Sequence, residues 1–485
     1  MTPSWPVFEK GAQCARAVWE DNSGVILPYV TVMLVVIVGL SVLALDGARL
    51  MSLQTQLQNG ADALALAGAA ELDRLPDAET RARGAIENLL TNSTLSGSGT
   101  NRTIAVLKIQ FYRRLPASDA SPMSAGALAT RPTDARFVSV AVRPVTLPMI
   151  LPAAFFGGAN TITTSAFAVA GFDQVVCGVT PIYVCNPYET PGMSYDQATE
   201  ALQHAAASPA DQGRLIRLRQ YDGDAPYAAA DYGFLTSSIL GSDEASLIDS
   251  VAVVRPPVCF LQRGVNFRPG LVQSVREGFN VRFDIYEGSM SDKYDDSNYR
   301  PAQNVRKGYV YQNACPTRRG AYWPIGSPPN RVTGLLLDRT WPHFGSMGEG
   351  NWNFDIYWQV NHRSDAGPSA MVDGGPADNT DVPSRYRVYR YEIEQGLVGE
   401  SGAPACYRGG DLSAVPDRRI LHAAVINCQS LRSVDEPHSN VPVAAFGKFF
   451  LTLPLAPAQT DLYVEMVGLV QPGDGVSFDV VQLYR

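Results

Sequence analysis

The sequence predicts an α+β protein: a single N-terminal transmembrane helix extending into a helix-plus-antiparallel-sheet module, followed by a larger β-rich, disulfide-stapled domain. Three observations carry this. Residues 23–45 hold no charged side chain, and a helix of that length rises about 34 Å against a hydrocarbon core of about 30 Å. The chain then runs on in helix formers before breaking into short β-branched and aromatic segments. Finally, Cys14 precedes the apolar run, while Cys177, Cys185, Cys259, Cys315, Cys406 and Cys428 all follow it.

Residues 1–22 read as a cytosolic leader and 23–45 as a retained anchor. A signal peptide has a shorter apolar core and a small-residue cleavage site, whereas here the run passes directly into Asp46 and Arg49. Lys10 and Arg16 precede the span, and Arg49 alone is basic among residues 46–65, which favours an inside N-terminus. An even set of cysteines on one side and a lone thiol on the other suits an oxidising exterior and a reducing interior. The expected topology is single-pass with the N-terminus cytoplasmic and the C-terminal body periplasmic, in a bacterial inner membrane.

Composition narrows the function classes. A chain that is 46% hydrophobic and 18% charged, with 42 Gly and 34 Pro, is loop-rich and folded, not disordered. A net charge of −8 without a basic cluster argues against nucleic acid as a partner. Five histidines, none in an H-E-x-x-H pattern, leave little for metal or acid–base chemistry.

Residues 46–172 form the second segment. Leu50, Leu53, Leu57, Ala61 and Leu64 recur at helical spacing, so the membrane helix continues to about Leu72. Its distal half is crowded with small residues, among them Gly60, Ala61, Ala65, Gly68 and Ala69. Such a face either packs on the protein's own sheet or permits close contact with a partner helix. Pro76 allows a turn, residues 77–90 read as a second helix, and 92–101 as a polar loop. Residues 103–112, 136–145 and 161–170 read as strands. The apolar stretch 149–158 reads as a short buried helix or turn covering the sheet. A long N-terminal helix leading into a small antiparallel sheet is the architecture of pilins and pseudopilins, so the module is expected to be pilin-like.

Several residues in order carry a resemblance: Gly24, Pro28, the exit Asp46-Gly47-x-Arg49, Leu57-Gln58-Asn59, and Ala61-Asp62-Ala63-x-Ala65-x-Ala67. Together they resemble the N-terminal segment of the TadE/TadG-like Flp pilus-assembly proteins. The 136–172 block ending in Ala166-x-Ala168-Val169-Ala170, the stretch from Cys177 to Cys185-Asn186-Pro187, and the terminus from Val480 to Arg485 add to it. Two departures refine what the resemblance implies. Cleaved pilin-like precursors commonly carry Glu five residues after the cleavage-site Gly, and Tyr29 stands there. Many TadG-like proteins carry a von Willebrand A-type domain marked by D-x-S-x-S, and Ser289 and Ser291 lack the preceding Asp. A retained TadG-like anchor fits better than a fibre subunit.

Residues 173–485 read as a periplasmic β-rich domain. Strands are expected at 250–254, 280–286, 353–360, 386–394, 421–427, 461–467 and 476–483, and helices at 194–204 and 211–219. The six outer cysteines pair most simply as neighbours: Cys177–Cys185, Cys259–Cys315 and Cys406–Cys428. With no C-x2-C pair a zinc site is disfavoured. Gly399-Glu400-Ser401-Gly402-Ala403 is half a nucleophile elbow and reads as an exposed turn. His343 and His362 read as structural. The oxygen-rich loop from Asp292 to Asn298 lacks the EF-hand order and reads as solvated. Trp323, Trp341, Trp352 and Trp358 either line a sugar-binding groove or build a core.

The sequence therefore predicts a membrane-anchored structural or assembly component of a Flp (Tad) type IVb pilus or related secretion apparatus. It would act by protein–protein contacts with other pilus-assembly or secretion proteins and with the lipid bilayer, not as an enzyme. No catalytic residue, cofactor or metal is assigned. A membrane-tethered carbohydrate-binding or adhesive protein is the alternative.

Overall fold

A computed structural model describes residues 26–73, 77–88, 93–95, 101–116, 121–150, 159–209, 211–223, 226–240, 243–268, 270, 272–308, 333–340, 342, 345–364, 367–368, 382–413, 415, 417–431, 438–471 and 473–484. The chain divides into two units, Met1–Phe172 with Val481–Arg485, and Asp173–Val480.

In the first unit one continuous helix, α1 (Ile26–Ala69), is followed by α2 (Ala78–Asn88). A short hairpin, β1 (Ser93–Leu95) with β2 (Asn101–Thr103), lies where a loop alone was expected. Next come β3 (Val106–Tyr112), β4 (Phe137–Val142), β5 (Val145–Pro148), β6 (Thr161–Thr164) and the long β7 (Phe167–Cys177). β3, β4 and the start of β7 form an antiparallel sheet, with Val140 opposite Ala168 and Ile109 opposite Val140. β5 and β6 form a separate antiparallel hairpin. β4 alternates as a half-buried strand should, Val138, Val140 and Val142 facing the helix.

The distal half of α1 buries a stripe of Leu53, Leu57, Ala61, Leu64, Ala65 and Ala69 on that sheet and on α2. Each fully buried leucine contributes about 1.5–3 kcal/mol. The alanines and glycines set the distance of approach. A methyl built on Gly68 would lie 2.5 Å from Ile86 Cδ1 and 3.4 Å from Val138 Cγ1, and one on Gly60 would strike Ile104. The small face of α1 is thus occupied by its own unit.

In the second unit, the later residues of β7 pair with β11, Cys177 lying opposite Cys259. Its elements in chain order are β8 (Ile182–Cys185), α3 (Tyr195–Ala207), β9 (Leu215–Gln220), β10 (Asp231–Thr236), α4 (Glu244–Ala252), β11 (Cys259–Leu261), β12 (Val265–Arg268) and α5 (Val275–Asn280). They are followed by α6 (Phe354–His362), α7 (Arg385–Glu394), a single turn α8 (Gly399–Gly402), β13 (Ile420–Ile426), β14 (His438–Val441), β15 (Ala445–Leu451), β16 (Leu462–Leu469) and β17 (Ser477–Leu483), the last three residues of which belong to the first unit. The large sheet runs β14-β12-β10-β8-β13-β15-β16-β9, and β9 also pairs with β10. Six strands therefore close on themselves. The β8–β13 and β9–β10 pairs are parallel and the others antiparallel.

One face of the ring, including Ile182, Val184, Ile216, Leu218, Leu421, Ala423, Val425, Leu462 and Val464, shares a core with Leu202, Val251 and Phe279 from the helices. The opposite face places Tyr183 and Ile426 in a second core with Phe267.

Several expected elements are corrected. Residues 250–254, 280–286, 353–360 and 386–394 are helical or irregular, not strands. Short aromatic and β-branched windows fit either state, and local caps decide: Asp243 accepts from Ser246 N, and Ser384 from Arg387 N. Within 211–219 the expected helix gives way to β9, where Ile216 and Leu218 face inward and Arg217 and Arg219 outward. The cysteine pairing also differs: Cys177 bonds Cys259, and Cys185 bonds Cys428. Cys406 is disulfide-bonded as well, but not to Cys428, which is bonded to Cys185. Neighbour pairing fails because β11 is hydrogen-bonded to β7, and β13 to β8, which brings cysteines distant in sequence side by side. Cys315 and residues 151–158 lie outside the described residues.

The packing at Gly68 sets a testable limit. Gly68→Val is expected to overpack the α1–α2–β4 junction and destabilise the first unit by about 1–3 kcal/mol, whereas Gly68→Ala should cost less, because about 1 kcal/mol of helix propensity offsets the crowding. Denaturant unfolding of the detergent-solubilised protein checks both.

Candidate functional site: the anchor helix and its exit

From Tyr29 to Leu45 the large side chains of α1 project away from the rest of the protein on all sides. Tyr29 is 67% exposed, Val35 65% and Leu45 56%. No such run of apolar side chains survives in water unless something apolar covers it. Among the described residues this is the one helix long and apolar enough to cross a membrane. At about 1.5 Å per residue, Ile26 to Leu45 rises about 30 Å, the thickness of a hydrocarbon core. The few polar groups are handled locally: Ser41 Oγ donates to Ile37 O at 2.7 Å. A helix needs no outside partner for its backbone, which suits it to lipid.

The exit is built around Asp46, the first charged residue after the run. Aspartate is a poor residue for a helix interior, yet Asp46 is buried. Both of its oxygens accept from the Ile150 N–H at 3.0 Å. Arg49 Nη1 lies 3.3 Å from Asp46 Oδ1 and donates to Pro148 O at 3.4 Å. Two side chains on one helix turn therefore hold the end of the β5–β6 hairpin. Hydrogen bonds to a charged acceptor contribute about 1.5–3 kcal/mol, more than neutral ones. Further along, Gln58 Nε2 bridges Asp62 Oδ1 (2.7 Å) and Phe167 O (3.1 Å), tying α1 to the start of β7.

The remaining sequence candidates resolve as structure. Cys185, Glu189 and Cys428 bring a carboxylate and two sulfurs within 4.8 Å, but the sulfurs are bonded to each other and offer no thiolate. Glu189 instead accepts from the backbone N–H of Cys428 (3.1 Å) and Gln429 (3.2 Å), bracing the chain after β13. Burial pushes its carboxyl up to about 7, while those two donors pull it down.

In the 292–298 loop Asp296 Oδ1 accepts from Asn298 N at 2.8 Å and Asp292 lies 3.7 Å from Lys293, the pattern of a capped turn. Trp352 and Trp358 are buried in one core with Phe354, Tyr357, Val388 and Phe450, and so line no groove. His362 stacks on Trp358 with ring centres 4.0 Å apart and meets Glu392 Oε1 at 2.7 Å. The Gly399–Gly402 segment is a single helical turn. His343, Trp323 and Trp341 lie outside the described residues.

A network of buried charge was not anticipated. Arg385 joins Asp338 (2.6 Å) and Glu465 (2.7 Å) with all three side chains inaccessible. Arg306 and His362 converge on Glu392, and Lys307 approaches Asp284 at 4.0 Å. Desolvation raises the Asp284 and Glu465 carboxyls and brings Lys307 down to about 8. A sequence signal that could have found it is the alternation of arginine and tyrosine in Arg385-Tyr386-Arg387-Val388-Tyr389-Arg390-Tyr391. In a cavity of about 530 Å³ beside α7, lined by Tyr386, Arg387, Arg390, Glu394 and Asp417, Arg390 is paired with Asp417 at 2.8 Å and with Glu394 at 3.2 Å.

Glu189 gives the second unit a pH dependence of known sign. Its folded pKa of about 7 lies above the ordinary 4.5, so the folded chain binds the proton more tightly and stability falls as pH rises through that window. Glu189→Gln is expected to flatten this part of the slope, read as the difference between wild-type and variant urea midpoints from pH 5 to pH 8.

Comparison with known proteins bears on α1. Residues 24–71 match the model of the family described as putative Flp pilus-assembly TadE/G-like. The match covers the apolar band, the Asp46–Arg49 exit and the small-residue stripe, and so the Gly24–Ala67 part of the resemblance; the 136–172 block, the Cys177–Pro187 stretch and the Val480–Arg485 terminus lie outside it. No curated protein matches the chain, and no solved structure does.

Proposed function

We propose that this protein is a membrane-anchored structural component of a Flp pilus-assembly or related secretion apparatus, held by α1 in the inner membrane and acting through protein contacts in the periplasm. The observation that carries this reading is the coincidence of the TadE/G-like match with a helix whose first half is bare of protein contacts. Its work is assembly and not a reaction. Packing of α1 on the antiparallel β3–β4–β7 sheet supports a pilin-like module. The N-terminus is cytoplasmic, in keeping with Lys10 and Arg16 ahead of the span. The periplasm is the oxidising side that the Cys177–Cys259 and Cys185–Cys428 bonds require.

The protein stays in the membrane and does not enter a fibre. A fibre subunit commonly presents a carboxylate at the position of Tyr29, to neutralise a neighbouring subunit's amine. Either charge alone in lipid is costly, so the pair supports polymerisation. Tyr29 supplies no such group.

Two measurements test this. A reporter active only in the periplasm, fused after Arg485, is expected to be active, and activity of a cytoplasmic reporter there would overturn the orientation. Intact mass of the membrane-extracted protein should include residues 1–24. A form beginning at Val25 that co-purifies with sheared pili would make the protein a fibre subunit instead.

A further inference from the structure

The first unit carries its own depth scale. Gly68 lies against Val138 and Gly60 against Ile104. Gln58 reaches Phe167 O, Arg49 reaches Pro148 O, and Asp46 holds Ile150 N. With a rise of about 1.5 Å per residue, Asp46 lies about 21 Å below Gly60 and about 33 Å below Gly68 along the helix. The chain thus descends alongside α1 from β4 to the end of β5, and Ile150 is pinned one residue past Leu45, the last residue of the apolar band.

Ile150 is nonetheless 54% exposed, and Leu45 is 56% exposed. Water is the wrong medium for either. We infer that the end of the β5–β6 hairpin, Met149 and Ile150, is immersed in the interfacial layer of the bilayer that receives α1, giving the first unit a second lipid contact. This rests on the anchor reading. The occupant is the bilayer and not another protein, because the bonds to Asp46 seat Ile150 at the level where the apolar band of α1 ends. The hairpin is also held there by the group a membrane exit most needs satisfied. A carboxylate at the edge of lipid must be paired or hydrogen-bonded, and Asp46 obtains its donors from Ile150 and Arg49. Side chains that lie in an interface in this way reach about 5–10 Å into the headgroup–acyl boundary.

Lipid photo-crosslinking tests it. A diazirine amino acid replaces Val35, Ile150 or Leu107 in turn, in the full chain reconstituted into phosphatidylethanolamine–phosphatidylglycerol vesicles, and phospholipid adducts are read by mass. Leu107 is the control: it is 58% exposed and apolar, but lies on β3 near the level of Gly60. Adducts are expected at positions 35 and 150 and absent at 107. Adducts at 35 alone would overturn the second contact while leaving the anchor intact, and equal labelling at 150 and 107 would overturn it too. No adduct at 35 would instead remove the anchor reading itself. With the probe at 150, Asp46→Ala is expected to abolish the adduct there, and an undiminished adduct would show that the carboxylate does not hold the hairpin at the bilayer.

Discussion

One continuous helix has to be solvated by two media, and the rest of the first unit is arranged around the point where they meet. Above Asp46, α1 buries one stripe on a sheet and exposes the other to water; below it, every side of the helix is apolar and bare. The backbone crosses that boundary unbroken because its hydrogen bonds are internal. What changes at the boundary is the side-chain chemistry, and a charge placed there needs partners at fixed positions. Asp46 and Arg49 find theirs on Pro148 and Ile150, so the hairpin's place on the helix and the helix's exit are set by the same bonds.

The second unit meets a different demand. Its six-stranded ring leaves no free edge within the closed part, which removes the usual route to edge-to-edge association. Its periphery stores charge in apolar surroundings. Arg419 lies 4.6 Å over the rings of both Phe283 and Phe450 while donating to the carbonyls of Leu451 and Thr452. Arg385 lies 4.9 Å over Trp352 between two carboxylates. Buried pairs of this kind add little net stability, but removing one partner typically costs about 3–5 kcal/mol. They fix how the helices register on the ring more than they strengthen it.

How much of this was legible follows from the range of the interactions involved. The helix through Ala69, the helices at Ala78–Asn88 and Tyr195–Ala207, and the strands β4, β13, β16 and β17 show clear periodicity, and there the reading and the structure agree. So do the residues of the TadE/G-like match. The aromatic windows around Tyr357 and Tyr389 misled because Trp, Tyr and Val fit a strand as well as a buried helix. β9 was missed because Leu215 and Ile216 are adjacent and blur its alternation. The Asp46–Ile150 latch joins residues 104 positions apart and leaves no local trace. The same is true of Cys185–Cys428, whose pairing depends on a parallel contact between β8 and β13.

That long-range pairing has a temporal side. β8 is made well before its neighbour β13 and the cysteine that locks it, which follows 243 residues after Cys185. At about 5–20 residues per second, the wait is on the order of 10–50 s. The first unit likewise waits for Tyr484, whose N–H donates to Val169 O and whose ring packs against Phe137. Until those residues emerge, a nascent chain presents an apolar sheet without its closing strands. Holding factors that recognise unpaired strands have a natural substrate here, and a stalled or truncated chain lacks both closures at once.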